Sequence, residues 1–76
     1  MKKLLEYIIT SLVSHPQDVK ISQGKEGEVL VFTIKVHPED LKILIGKKGQ
    51  TIKAIREVLK IKAIAEKKII NIKIEE

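Results

Sequence analysis

The stretch Leu44-Ile45-Gly46-Lys47-Lys48-Gly49-Gln50-Thr51-Ile52 constrains this chain more than any other. A glycine inside a helix costs about 1 kcal/mol relative to alanine, yet the sequence on both sides of the pair is helical in pattern. Before it, Pro38 suits a first helical turn and Glu39 and Asp40 suit its positive end, so 38–45 is predicted as a short helix that stops at Gly46. After it, from about Gln50 to residue 66, Ile52, Ile55 and Leu59 recur on one face. Lys53, Arg56, Lys60 and Lys67 cluster beside that face at helical spacing. Two helices are therefore expected to meet in a glycine turn with Lys47 and Lys48 at its tip.

The remainder supplies one more helix and three strands. Leu4, Leu5, Ile8, Ile9, Leu12 and Val13 keep the paired four-residue spacing of one helical face, and Pro16 ends that helix near Ser14. Val19 and Ile21 alternate, a turn is expected between Gly24 and Gly27, and a longer strand runs from about Glu28 to Val36. On that strand Leu30, Phe32, Ile34 and Val36 share the core face, with Val29, Val31, Thr33 and Lys35 opposite. A last strand at 69–74 sets Ile70, Ile72 and Ile74 against Asn71 and Lys73. The order is α-β-β-α-α-β, an α+β class. The phrases His15-Pro16-Gln17-Asp18 and His37-Pro38-Glu39-Asp40 echo one another, but one precedes a strand and the other opens a helix, so both read as turn punctuation rather than a repeat.

Seventy-six residues give room for one domain, 1–76. There is no cysteine, hence no disulfide framework or thiolate metal site, and a cytoplasmic setting is expected. Two histidines without a second acidic cluster make a poor metal centre, and no cofactor is expected. The first fifteen residues begin with lysines and continue apolar like a signal peptide, but Glu6 and Tyr7 break the apolar run and no small-residue cleavage site follows, so they are read as a helix; nothing approaches the roughly 20 apolar residues of a membrane span. Net charge is +5, but residues 42–68 carry nine Lys or Arg against Glu57 and Glu66, a local +7 that leaves the rest at −2. That asymmetry favours a polyanionic partner. With no Ser-His-acid arrangement and no clustered carboxylates beyond Glu39-Asp40 and Glu75-Glu76, the chain is not read as an enzyme, and no small-molecule substrate is expected.

The glycine pair fits neither common nucleotide motif. A P-loop needs a lysine where Gln50 stands, a glycine where Leu44 stands and a strand before it; a dinucleotide fingerprint needs a third glycine in a βαβ setting. A turn between helices does, however, expose the first N–H groups of the second helix, where the dipole favours anions. Glycines there let a phosphate backbone approach closely, the lysines add charge, and Ile45 and Ile52 are adjacent apolar positions for bases.

Residues 45–52 resemble the I-G-x-x-G-x-x-I signature of the KH (K homology) domain, whose GXXG loop clamps about four nucleotides of backbone. The likeness covers essentially the whole chain and is to the type II, bacterial form. It implies a three-stranded mixed sheet with three helices packed on one face, the last strand parallel to the central one. It further implies a single-stranded RNA groove between the helices at 38–45 and 50–66 and the sheet edge at 69–74. Carried onto this chain, the RNA-binding residues are Gly46, Lys47, Lys48 and Gly49, with Ile45, Gln50, Ile52, Lys53 and Arg56 beside them. Lys42 and Gln50 depart from the family pattern, which often has glycine and a basic residue there. The resemblance also implies candidate partners: a second copy of the chain or a larger KH-containing RNA-binding protein. The competing reading is a scaffold module with weak or no RNA binding, motivated by Val29, Val31 and Ile61, which the core leaves over.

Overall fold

A computed structural model describes residues 1–75. Helix α1 spans Lys2–Leu12, strands β1 and β2 span Lys20–Glu26 and Val29–Lys35, α2 spans Leu41–Ile45, α3 spans Gln50–Ala65 and β3 spans Ile69–Ile74. Single 3-10 turns at 16–18 and 38–40 precede β1 and α2, and a left-handed turn at 47–49, closed by i→i+3 hydrogen bonds, joins α2 to α3. The sheet order is β1-β2-β3, with β1 antiparallel and β3 parallel to the central β2. The parallel pairing follows from the two-helix crossover, since a parallel neighbour needs a long connection.

Alternation in β2 sends Leu30, Phe32 and Ile34 to one face, where the helices supply Leu5, Ile9, Leu44, Ile52, Ile55 and Leu59. Phe32, Leu5, Ile9, Leu44 and Leu59 are wholly buried. The fold is thus the α+β, three-helix, three-strand mixed-sheet arrangement expected of a type II KH domain.

The local differences from the sequence reading have simple causes. The hairpin does not turn across Gly24 to Gly27; β1 continues through Gly24, and Glu26 pairs with Val29 across the two-residue loop Gly27-Glu28. Gly27 takes φ 63° at the first loop position, the conformation a tight hairpin assigns to glycine, and the shorter loop lengthens the ladder. Helix α1 ends at Leu12, and the segment from Pro38 begins as a 3-10 turn before becoming α2. Val31 lies on the outer sheet face yet is only 8% exposed. Glu26, opposite Val29, reaches Lys73, opposite Thr33, at 3.7 Å, and this pair crosses the sheet diagonally over Val31.

Candidate nucleic-acid interface

Helix α2 stops at Gly46, whose N–H bonds Lys42 C=O at 2.8 Å. Gly46 then takes φ 77°, ψ 175°, a region open essentially to glycine alone, and a Cβ there would collide with Thr51. Lys48 (φ 55°) and Gly49 (φ 73°) follow in left-handed conformation. Gly49 N–H closes the loop on Gly46 C=O at 3.2 Å and Gln50 N–H on Lys47 C=O, and neither bond uses the amides of Lys47 or Lys48. Both lysine side chains are exposed. Helix α3 begins here with no acidic residue in its first turn and no side-chain cap. Its positive dipole end, in a helix of 16 residues, is unneutralised beside two lysines.

From this turn, α3 runs along the free edge of β3. Lys53, Arg56, Lys60 and Ile64 occupy the side of the helix next to its buried stripe. Arg56 Nη2 donates to Ile72 C=O at 3.1 Å, tying α3 to the sheet edge. Between them opens a depression of about 310 Å³ lined by Arg56, Lys60, Ile64, Lys68, Ile69 and Asn71, with Ala63, Ile70 and Ile72 beneath. Its walls are aliphatic and its rim basic. Neither aromatic residue takes part, because Phe32 is in the core and Tyr7 lies outside on α1. A second, shallower depression lies against Leu41, Lys42, Ile45, Gly46 and Lys47.

The far end of α3 closes with a Schellman turn: Lys68 N–H reaches Ala63 C=O at 2.8 Å and Lys67 N–H reaches Ile64 C=O at 3.1 Å. Lys67 adopts φ 56°, outside the helix, where glycine is usual. Glu66 sits between Lys62 at 3.2 Å and Lys68 at 3.8 Å. The hydrogen bond from Lys62 holds its carboxyl below the ordinary range, against a smaller opposing effect of burial.

The fold therefore brings Ile45, Gly46, Lys47, Lys48, Gly49 and Gln50 together at one turn, with Lys53 and Arg56 leading from it toward the β3 edge. Ile52 is the exception, turned into the core at 6% exposure, where it anchors the first turn of α3. Sequence reasoning missed Asp40. It is 1% exposed and accepts hydrogen bonds from Ser14 N–H at 3.0 Å, His15 N–H at 2.8 Å and His15 Nδ1–H at 3.1 Å. Burial pushes this carboxyl up, but the three hydrogen bonds and the imidazole charge outweigh it and leave it below the usual value. The available signal was its position four residues before the core residue Leu44, one helical turn along the same face.

His15 stacks on His37 with centroids 4.1 Å apart and planes at 13°. Glu39 joins them in a group whose ligand atoms lie within 4.8 Å of one another. Nδ1 of each ring is already engaged, that of His15 with the Asp40 carboxylate and that of His37 with Glu39 N–H.

A GXXG turn joining two helices over the edge of a β-β-α-α-β sheet, preceded by a further helix, defines a type II KH module. The sequence matches the family described as "KhpA/KhpB, KH domain" over residues 2–74. It is 40% identical over 74 residues to the RNA-binding protein KhpA of Halalkalibacterium halodurans, with 97% of each chain covered. The chain belongs to the KhpA/KhpB KH-domain family.

Proposed function

We propose that this chain is a non-enzymatic RNA-binding protein, acting as one KH module. Phosphates of a single strand rest on the Gly46–Gly49 turn, and bases lie along the α3–β3 depression. The observation that carries this reading is the juxtaposition of two exposed lysines with the acid-free start of α3, opening onto an apolar groove with a basic rim. The name of the Halalkalibacterium relative supports it. Aliphatic walls without aromatics favour modest affinity and weak sequence preference, which suits a post-transcriptional regulator or RNA chaperone working in the cytoplasm. Among the described residues no helix is long and apolar enough to cross a membrane.

Replacing Lys47 and Lys48 together by Asp is expected to nearly abolish binding of a mixed-sequence single-stranded RNA, read by fluorescence anisotropy, while the circular dichroism spectrum stays unchanged. Undiminished affinity in a folded double variant refutes the proposal.

A specific observation favours self-association as well. Thr51, Ala54, Val58, Ile61 and Ala65 repeat at alternating spacings of three and four on the side of α3 turned from the core. Ile61 is 69% and Val58 48% exposed. This is the seam spacing of paired helices, and an antiparallel second copy sets Val58 of one chain on Ile61 of the other. A larger KH-containing protein or a scaffold partner seated on this stripe is the competing reading. Sedimentation equilibrium is expected to show a dimer that Ile61→Glu converts to monomer; a wild-type monomer across the accessible concentration range excludes the self-pairing.

A further inference from the structure

The two His-Pro phrases, unrelated in the sequence reading, come together in space. Each histidine precedes a 3-10 turn with proline at its first position. His15 donates through Nδ1 to the buried Asp40 carboxylate. His37 does the opposite: its Nδ1 accepts from Glu39 N–H at 3.1 Å, which requires that nitrogen to be unprotonated. The two rings stack at 4.1 Å. This cluster joins the chain leaving α1 to the turn that starts α2, and α2 ends five residues later at Gly46.

We propose that the His15–His37 stack is a proton-sensitive latch that positions α2 and, through it, the glycine loop. With both rings neutral, His37 caps the 38–40 turn and lies flat on His15. A proton on His37 Nδ1 removes the acceptor for Glu39 N–H and sets two N–H groups against each other. A proton on His15 strengthens its bond to Asp40 but, with His37 also charged, puts two cations in face-to-face contact. The charged groups around the pair are Asp40 beneath His15, Glu39 on the capped turn, and Asp18, Lys20 and Lys35, which share a depression with His37. Asp40, Glu39 and Asp18 attract the imidazolium forms and the two lysines oppose them. Charge alone therefore does not release the latch; the loss of the Nδ1 acceptor does. The inference concerns the positioning of the loop and rests on the RNA-binding reading only for its consequence.

The test is NMR of the full chain between about pH 5 and 8, the range in which histidines titrate. Imidazole nitrogen shifts report the tautomers, and the protection factor of the Glu39 amide reports the cap. In the wild type, the His37 Nδ1 lone pair is expected to disappear on acidification together with about fivefold of Glu39 protection, the equivalent of an N-cap worth about 1 kcal/mol. The Gly46 and Gly49 amide shifts are expected to move with the same midpoint. His37→Asn retains a capping oxygen that does not titrate, so its Glu39 protection and loop shifts are expected to stay flat over the range. His37→Ala is expected to be unprotected throughout. A wild-type Glu39 amide indifferent to pH, or the same pH dependence in His37→Asn, overturns the latch. Loop shifts that stay still while the cap titrates overturn the coupling to the loop. RNA affinity of the wild type and His37→Asn at both ends of the range then separates this idea from the RNA-binding reading: a working latch with no RNA bound at any pH leaves the latch standing and removes that reading.

Discussion

At Gly46 the backbone lies at φ 77°, ψ 175°, and a Cβ there would come within 2.8 Å of Thr51 N, an atom fixed in the first turn of α3. At Gly49 the backbone is left-handed at φ 73°, and an added Cβ meets nothing within 4 Å. One glycine is required by both conformation and space, the other by conformation only. Gly46→Ala is therefore expected to cost about 1–3 kcal/mol in backbone strain and, on top of that, the displacement of Thr51 at the start of α3, so it destabilises more than Gly49→Ala, which costs about 1–2 kcal/mol, and Gly49→Asn costs less still. Urea denaturation of the three variants gives the ranking, and equal losses at the two sites would contradict the role given to Thr51. Lys48 shares the left-handed conformation without being glycine, which costs about 1–2 kcal/mol, and its side chain stands exposed at the tip of the turn.

Among the elements, the junction of α1 with α2 depends on Asp40. Its carboxylate satisfies two backbone N–H groups just beyond the end of α1 and orients His15, so two elements more than twenty residues apart are joined by one side chain. Because the folded-state pKa is lowered from 3.8, the unfolded chain binds the proton more tightly. The carboxylate's contribution is then present above the unfolded value and is lost as pH falls through the folded one. Asp40→Asn is expected to lower the melting temperature near neutral pH, and the gap between variant and wild type is expected to narrow below about pH 4. Thermal unfolding followed by circular dichroism measures both; a gap that stays constant with pH would mean the loss is not electrostatic. The α3–β3 junction is held differently, by Arg56 reaching the Ile72 carbonyl at the sheet edge. That leaves the remaining guanidinium N–H groups beside the groove. The same residue thus serves as a clasp and as part of the basic rim.

For the whole molecule, the +7 carried by residues 42–68 is gathered around α3, from the glycine turn through the helix side to the 66–68 turn. If this field holds a single strand through about four phosphates, log affinity is expected to fall against log salt with a slope of roughly −3. Titration at several ionic strengths measures it, and a slope near zero would point to apolar binding instead. That the elements occur in this order, that a turn interrupts two helices at Gly46–Gly49, that Leu30, Phe32 and Ile34 face inward and that positive charge collects around α3 were all legible in the linear sequence. Periodicity of 2 or 3.6 and the conformational demands of glycine and proline are local properties. The hairpin loop was misplaced because Gly24 and Gly27 look alike locally, and only pairing with β2 tells a strand glycine from a turn glycine. Asp40 read as a helix-start acid, His15 and His37 as separate turn residues, Val31 as exposed and Arg56 simply as charge. Each acquired its role from a group distant in sequence: the Ser14 and His15 amides, the opposite imidazole, the Glu26–Lys73 pair and the Ile72 carbonyl. The amino-acid sequence by itself determined the elements, their inward faces and the glycine turn, because these depend on neighbours within one or two turns of chain. Only the tertiary structure decided which polar groups are buried and what satisfies them, because that depends on how the finished elements dock.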